Sequence, residues 1–179
     1  MKKLIVLAAL LVAVVFVISS LVMAQEKPKF TYVGDKACKM CHKAQHEAWA
    51  ATKHAKAFDA LKPEEQKKAE CTACHVTGKT AADSLLVGVA CEACHGPGSE
   101  YKKATIMSKT KFAADKAAAM KAAVEAGLII PTADNCVKCH KKEGNPNFKE
   151  FNFETMKGKV HPLAVVAPAP AAAPAPDKK

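Results

Sequence analysis

The chain contains no arginine, since all 27 of its basic residues are lysines. Arginine carries a planar group that clamps phosphates and carboxylates through two parallel hydrogen bonds, whereas lysine offers a single charge on a flexible stem. Surfaces that bind nucleic acids commonly interleave arginines with aromatic side chains. This composition therefore argues against nucleic-acid binding and predicts a diffuse positive field.

Aromatic side chains are also scarce, with one Trp, two Tyr and seven Phe among 179 residues. Such side chains supply much of the apolar area that a folded domain buries. Residues 30–161 have the length of one domain, and this composition predicts a thin core if side chains alone fill it. Another apolar group is needed to complete the core.

The eight cysteines occur in one pattern only, because all of them belong to four copies of Cys-x-x-Cys-His. The four copies are Cys38, Cys41 and His42; Cys71, Cys74 and His75; Cys91, Cys94 and His95; Cys136, Cys139 and His140. This spacing is typical of haem c attachment: the two thiols form thioethers with the haem vinyl groups, and the histidine binds the iron. We predict four covalently attached haem c groups.

Two other uses of the cysteines fit less well. Zinc sites built from Cys-x-x-Cys pairs do not require a histidine after each second cysteine, and a disulfide framework requires none either. Haems would also add the apolar area that the thin core lacks, because each is a large apolar plate that short helices and loops can surround. The haem-free chain is accordingly expected to be largely unfolded.

The two ends of the chain indicate export. Lys2 and Lys3 precede an apolar run that ends at Ala24, the layout of a cleaved secretory signal over residues 1–24. The alternative is an uncleaved anchor, because the run from Leu4 to Val22 is about long enough to span a bilayer. Haem c is attached outside the bacterial cytoplasmic membrane, so a periplasmic or extracellular location is expected.

Residues 163–179 are rich in proline and alanine and bury little, which predicts a disordered tail. Such a tail either tethers the protein to a membrane, wall or partner, or has no function. Residues 25–162 are then the tetrahaem domain.

The lysines also indicate the kind of partner. The formal net charge is +10, and +8 without Lys2 and Lys3. Propionates and ferric porphyrins change the latter to about +4 in the oxidised protein and about zero in the reduced one. A lysine-rich surface attracts an acidic redox partner at a rate that falls with salt concentration.

Hydrophobic periodicity predicts a mainly α fold of short helices and long loops, with few or no strands. One helix is predicted from Asp35 to Leu61, and a loop from Thr77 to Val89. A second helix, from Thr110 to Ala126, would be closed by Gly127. The face expected to be buried comprises Ala113, Ala117, Met120 and Val124.

The seven histidines limit iron ligation. Four of them belong to the motifs, so only His46, His54 and His161 remain as sixth ligands, and four haems cannot all be bis-histidine within one chain. In a continuous helix His54 would lie about 18 Å beyond His42, so it would serve a different haem. His46 would lie one turn after His42 and could serve a neighbouring haem, bond a propionate or face water.

Several segments together resemble the tetrahaem cytochrome c-554 family, over about residues 32–161. They are Cys41-His42-Lys43-Ala44-Gln45, Trp49, His54-Ala55-Lys56-Ala57, the third motif from Val89 to Gly98, and Met156 to His161. The resemblance implies four closely stacked haems, most of them bis-histidine and one five-coordinate. It also implies electron acceptance, in ammonia oxidisers from hydroxylamine oxidoreductase, with related domains in other anaerobic and metal-respiring chains.

By this resemblance, His54 would be the distal ligand of the third-motif haem and His161 that of the fourth. His46 has no clear family counterpart. The chain departs from related multihaem proteins after Gly98, where the loop from Ser99 to Met107 contains no histidine. A second iron, expected to be that of the first motif, would then lack a histidine ligand. Tyr101 or Met107 would approach it, or would simply pack.

Three functions are compatible with these features. The first is an exported carrier that relays electrons one at a time through its haems. The second is a reductase or oxidase acting on nitric oxide, nitrite, hydroxylamine or peroxide at a five-coordinate haem. The third is a subunit of a larger cytochrome assembly, in which a neighbouring molecule supplies a missing ligand.

Overall fold

The computed structural model describes residues 30–161. The predicted signal peptide and the predicted tail lie outside the described residues. Within that range, no helix is long and apolar enough to cross a bilayer.

The described residues form a mainly α structure of short elements, which confirms the predicted fold class. The eight α-helices are α1 Asp35–Lys39, α2 Lys43–Ala50, α3 Ala69–His75, α4 Cys91–His95, α5 Lys109–Ala114, α6 Lys116–Glu125, α7 Ala133–Val137 and α8 Phe153–Met156. Two 3-10 helices, Phe58–Ala60 and Lys157–Lys159, and two strands, β1 Val76–Lys79 and β2 Leu85–Val87, complete the described elements.

The single helix predicted from Asp35 to Leu61 is wrong. Helix α1 ends at Lys39, and His42 has φ −114° and ψ 48°, so the chain turns within the first motif before α2 begins. Turns and a 3-10 helix follow α2. Helices of five and eight residues depend on tertiary contacts more than on intrinsic propensity, which is why periodicity did not reveal the break.

The segment predicted as a loop from Thr77 to Val89 contains the antiparallel hairpin β1–β2. Val76 pairs with Val87 and Lys79 with Leu85. The Thr77 hydroxyl donates to the Gly88 carbonyl (2.7 Å) and accepts from the Ala90 N–H (2.8 Å). Because the hairpin begins directly after His75 and ends shortly before Cys91, it fixes the spacing between the second and third motifs.

The second predicted helix is interrupted at Asp115. The Asp115 side chain accepts a hydrogen bond from the Ala118 N–H (3.0 Å) and caps α6, a role that aspartate fills better than a position inside a helix. The buried face consists of Ala119, Ala123 and Ala126 rather than the predicted set. Val124, expected inside, is 46% exposed.

The predicted end of this helix is seen at Gly127, which has φ +100°. A Cβ atom there would lie 2.8 Å from the Phe30 ring, so glycine allows the first described residues to approach.

Few side chains are buried in the described residues, as the composition predicted. The buried apolar residues are Ala90, Tyr101, Ala119, Ala123 and Ala126, and the largest fully buried side chain is the carboxylate of Glu92. Met40, inside the first motif, is 84% exposed. Such a small core of side chains is expected when other apolar groups fill the spaces between the helices.

Candidate haem sites

Each Cys-x-x-Cys-His motif lies on one turn of helix or on a helical turn. The second and third motifs lie in α3 and α4. In the first and fourth, the N–H of His42 and of His140 each donates to the carbonyl of its first cysteine (2.9 Å). A helical turn places residues i, i+3 and i+4 on one side, so both thiols and the imidazole can reach the same haem. All eight cysteines are free of disulfides.

Thiols of different motifs meet in two places. The thiol of Cys38 in the first motif shares a hydrogen bond with the thiol of Cys91 in the third. This bond and burial raise the pKa of Cys38, whereas the same bond lowers the pKa of Cys91 against the opposing effect of burial. Burial and a bond to Cys74 of the second motif raise the pKa of Cys139 of the fourth to about 12. These values concern free thiols, because a thioether does not ionise. The contacts make the first and third motifs neighbours, and likewise the second and fourth.

A further contact joins the two pairs of motifs. Burial raises the pKa of Cys94, and the nearby Cys136 raises it further. Cys94 belongs to the third motif and Cys136 to the fourth, so these motifs are also adjacent. These contacts connect the motifs in the order first, third, fourth and second.

Two motif histidines face a second histidine. The ring centroids of His54 and His140 are 6.0 Å apart, and those of His95 and His161 are 6.1 Å apart. An imidazole nitrogen binds a metal at about 2 Å and lies about 1 Å from its ring centre, so two imidazoles on opposite sides of one iron hold their centroids about 6 Å apart. Both pairs fit this spacing.

The structure places these histidines differently from the pairing that the family resemblance implied. His54 faces the histidine of the fourth motif rather than the third, and His161 faces that of the third rather than the fourth. The resemblance identified both residues from the order of segments along the chain. Chain order does not determine which motif a distant segment contacts.

The environment of the histidines also fits iron ligation. Nδ1 of His75 lies 2.5 Å from the Ala57 carbonyl, and Nδ1 of His95 lies 3.3 Å from that of Ile129. A carbonyl at Nδ1 holds the proton there and leaves Nε2 for a metal. Burial is the main cause of the lowered pKa of His54 and of His95, which favours the neutral ring that binds metals. These residues could therefore hold haem iron.

The comparisons with known proteins agree with this fit. Residues 37–96 match the family described as Cytochrome c554 and c-prime. Cytochrome c-554 of Nitrosomonas europaea is 30% identical over 171 residues, which cover 80% of this chain and 72% of that protein. The chain belongs to the cytochrome c-554 family.

A solved structure supports the same fold. The reduced state of cytochrome c554 from Nitrosomonas europaea matches with a TM-score of 0.56 at 26% identity, covering 75% of this chain and 85% of that one. As a member of the cytochrome c-554 family, the chain is a c-type cytochrome that binds haem c covalently and functions in electron transfer.

His46 makes a different contact from those expected. Its Nε2 lies 2.7 Å from a carboxylate oxygen of Asp35, and its ring meets the edge of Trp49 at 5.3 Å. Nδ1 of His46 is buried without a hydrogen-bond partner in the described part of the chain. The structure thus uses His46 to join α1 and α2 around the first motif and does not bring it to another histidine.

Tyr101 is hydrogen-bonded to the backbone beside the third motif. Its hydroxyl donates to the Gly96 carbonyl (2.9 Å), and the ring is buried. The N–H of Met107 donates to the carbonyl of Lys103, four residues earlier in the chain (2.8 Å). Tyr101 therefore packs behind the third motif, and iron ligation by Met107 stays a prediction.

A backbone clamp at Gly88 and Val89 positions His54, and the sequence analysis missed it. The Val89 N–H donates to the His54 carbonyl (2.9 Å), and the Gly88 N–H donates to that of His75 (3.0 Å). The Trp49 indole donates to the Val89 carbonyl (2.8 Å). Gly88 has φ +79°, and a Cβ there would lie 2.7 Å from the Ala55 carbonyl. Gly88 and Trp49 were visible in the sequence, but the contacts of the clamp with Trp49 and His54 were not.

Replacing the non-motif histidines one at a time tests these assignments. We expect two low-spin ferric haems in the wild-type protein. His54→Ala and His161→Ala should each convert one to high spin, because each removes a ring that faces a motif histidine. Electron paramagnetic resonance of the oxidised protein measures both signals.

His46→Ala is the matched control, since it removes a buried histidine that bonds Asp35 instead. It should leave both low-spin signals in place. Loss of a low-spin signal in this variant, or its retention in His54→Ala, would contradict the assignments.

Proposed function

We propose that the protein is an exported tetrahaem cytochrome that relays electrons one at a time between redox partner proteins. The observation that carries the proposal is the contiguity of the four motifs, with thiols of neighbouring motifs in contact. Membership of the cytochrome c-554 family supports it. Bound haem c supplies the one-electron chemistry, and the chain anchors and orients each group.

The proposed route follows the order first, third, fourth and second motif. In the middle of this route, His161 would be the second histidine ligand of the third site and His54 that of the fourth. The carbonyls of Ala57 and Ile129 orient His75 and His95. Bis-histidine ligation without methionine favours low reduction potentials.

Mass spectrometry of the exported protein tests the haem count and the processing together. The expected mass is that of the chain from Gln25 to Lys179 plus four haems. A protein that retains residues 1–24 would show the anchor rather than the cleaved signal. A mass with fewer than four haems would contradict the tetrahaem relay.

The docking surface is proposed to be formed by lysines near the ends of the route. Exposed lysines lie in or beside the first, second and fourth motifs. They are Lys36, Lys39, Lys43, Lys67, Lys68, Lys138, Lys141 and Lys142. The third motif contains no lysine. Two of these three motifs, the first and the second, are the ends of the proposed route, and we propose that an acidic partner approaches there.

Charge reversal beside the first motif tests this surface. The double variant Lys39→Glu with Lys43→Glu should slow oxidation of the reduced protein by ferricyanide, an anionic probe, several-fold at low ionic strength. The difference should shrink as salt is added, because these charges are exposed. Stopped-flow absorbance measures the rate.

The matched control is Lys116→Glu with Lys121→Glu in α6, which changes the net charge equally but lies outside every motif. Its effect should be much smaller. Equal slowing by the two double variants would show a general charge effect and would contradict a local docking surface.

A second candidate function is reduction or oxidation of a small molecule at an open iron. Among the ring contacts of residues 30–161, none pairs His42 or His75 with a second histidine. Either iron could then bind nitric oxide, nitrite, hydroxylamine or peroxide. The Tyr101 hydroxyl, beside the third motif, donates its hydrogen bond to the Gly96 carbonyl.

Cyanide binding tests for open irons. High-spin ferric signals in the wild-type protein should convert to low spin when cyanide is added, because it fills a vacant sixth position. Four low-spin signals before the addition would end the second candidate function and leave the relay.

A further inference from the structure

The third motif contains a buried carboxylate that haem attachment does not require. Glu92 directly follows Cys91 and is 2% exposed, the largest fully buried side chain among residues 30–161. Removing a charge from water is costly unless hydrogen bonds replace the lost hydration. A side chain of this kind therefore needs a physical reason at this position.

Three backbone N–H groups surround the carboxylate. Oε1 accepts from Gly98 (2.6 Å) and Val33 (3.0 Å), and Oε2 accepts from Gly34 (2.7 Å) and Val33 (3.1 Å). Every one of these partners is a donor, so the group acts as an ionised acceptor. None of the ion pairs found in residues 30–161 includes Glu92. Its negative charge is solvated by peptide dipoles without a neighbouring cation.

These bonds join the first motif to the third. Gly34 directly precedes α1, which carries Cys38, while Gly98 lies in the loop after α4. Thr31 and Ser99 add two bonds alongside: the Thr31 N–H donates to the Ser99 hydroxyl (3.0 Å), and the Ser99 N–H donates to the Thr31 carbonyl (3.1 Å). Glu92 is thus held close to both motifs.

The field of Glu92 reaches Tyr101, which packs behind the third motif, and Cys38 of the first motif. Burial, together with the charges of Cys38 and Glu92, raises the pKa of the Tyr101 phenol. Glu92 also contributes to the raised pKa of Cys38, behind the bond to Cys91 and burial. A low-dielectric site transmits such a charge much more strongly than water does.

We propose that the buried Glu92 carboxylate lowers the reduction potentials of the haems anchored at the first and third motifs. A fixed negative charge stabilises the ferric form of a nearby haem, which is one unit more positive than the ferrous form. Electrons at these two haems are thereby driven towards the fourth and second. This inference rests on the proposed attachment of haem c at the first and third motifs.

Potentiometric titration of Glu92→Gln tests the proposal. The variant keeps the size of the side chain and removes its charge. Two of the four midpoint potentials should shift upward, and the other two should stay at their wild-type values. Absorbance follows all four haems, and electron paramagnetic resonance separates the low-spin third haem from an open first one.

Glu100→Gln is the matched control, because it removes the same charge from an exposed carboxylate that pairs with Lys103. It should leave all four potentials unchanged. Unchanged potentials in Glu92→Gln, or an equal shift of all four, would overturn the proposal. Lower thermal stability with unchanged potentials would show that Glu92 is only a structural anchor.

Ser99→Asp provides an independent test if Glu92→Gln does not assemble. It adds a second negative charge next to Thr31 and should shift the same two potentials downward. Unchanged potentials in Ser99→Asp would overturn the proposal in that case. The haem count of the wild-type protein separates the two levels of inference: fewer than four haems would refute the proposed function, whereas four haems with unchanged potentials in these variants would refute only the role of Glu92.

Discussion

Alanines and one tyrosine are the only buried apolar residues among residues 30–161, and a carboxylate is the largest fully buried side chain. Burial on this scale removes little apolar area from water, so it contributes little of the free energy that must offset chain entropy. The fold therefore depends on apolar groups that the cysteines anchor. Short helices that would be marginal alone can persist when each is fixed at two thiols and one imidazole.

The sequence predicted the chemistry of the sites better than the path of the chain. Four motifs that use all eight cysteines specify anchoring groups and proximal ligands, because one helical turn determines their geometry. The count of seven histidines further restricted the histidines that could serve as sixth ligands to His46, His54 and His161. Periodicity failed where tertiary contacts decide local structure, as at the turn in His42 and the cap at Asp115. The hairpin β1–β2 was missed because its strands contain only four and three residues.

The pairing of His54 with His140 shows what sequence order leaves undetermined. The residues are far apart in the chain, and their meeting depends on the backbone clamp formed by Gly88 and Val89. That clamp connects the carbonyls of His54 and His75, so one short segment positions groups that serve two different motifs. A glycine is required there because any side chain would collide with the Ala55 carbonyl. The segment at Gly88 and Val89 is therefore part of the site, although it contains no candidate ligand.

In the proposed order of the haems, the sites with two facing histidines and the sites with one histidine lie in different parts of the array. The third and fourth sites, which have facing histidines, lie in the middle, while the first and second sites lie at the ends. Fixed ligation in the middle favours electron transfer, because no ligand need move when the iron changes its oxidation state. The ends are where partners or small molecules arrive, and an open coordination position is useful only there. Relay and small-molecule chemistry then become properties of different haems in one array, and the buried charge of Glu92 would bias electrons from the first and third haems towards the fourth and second.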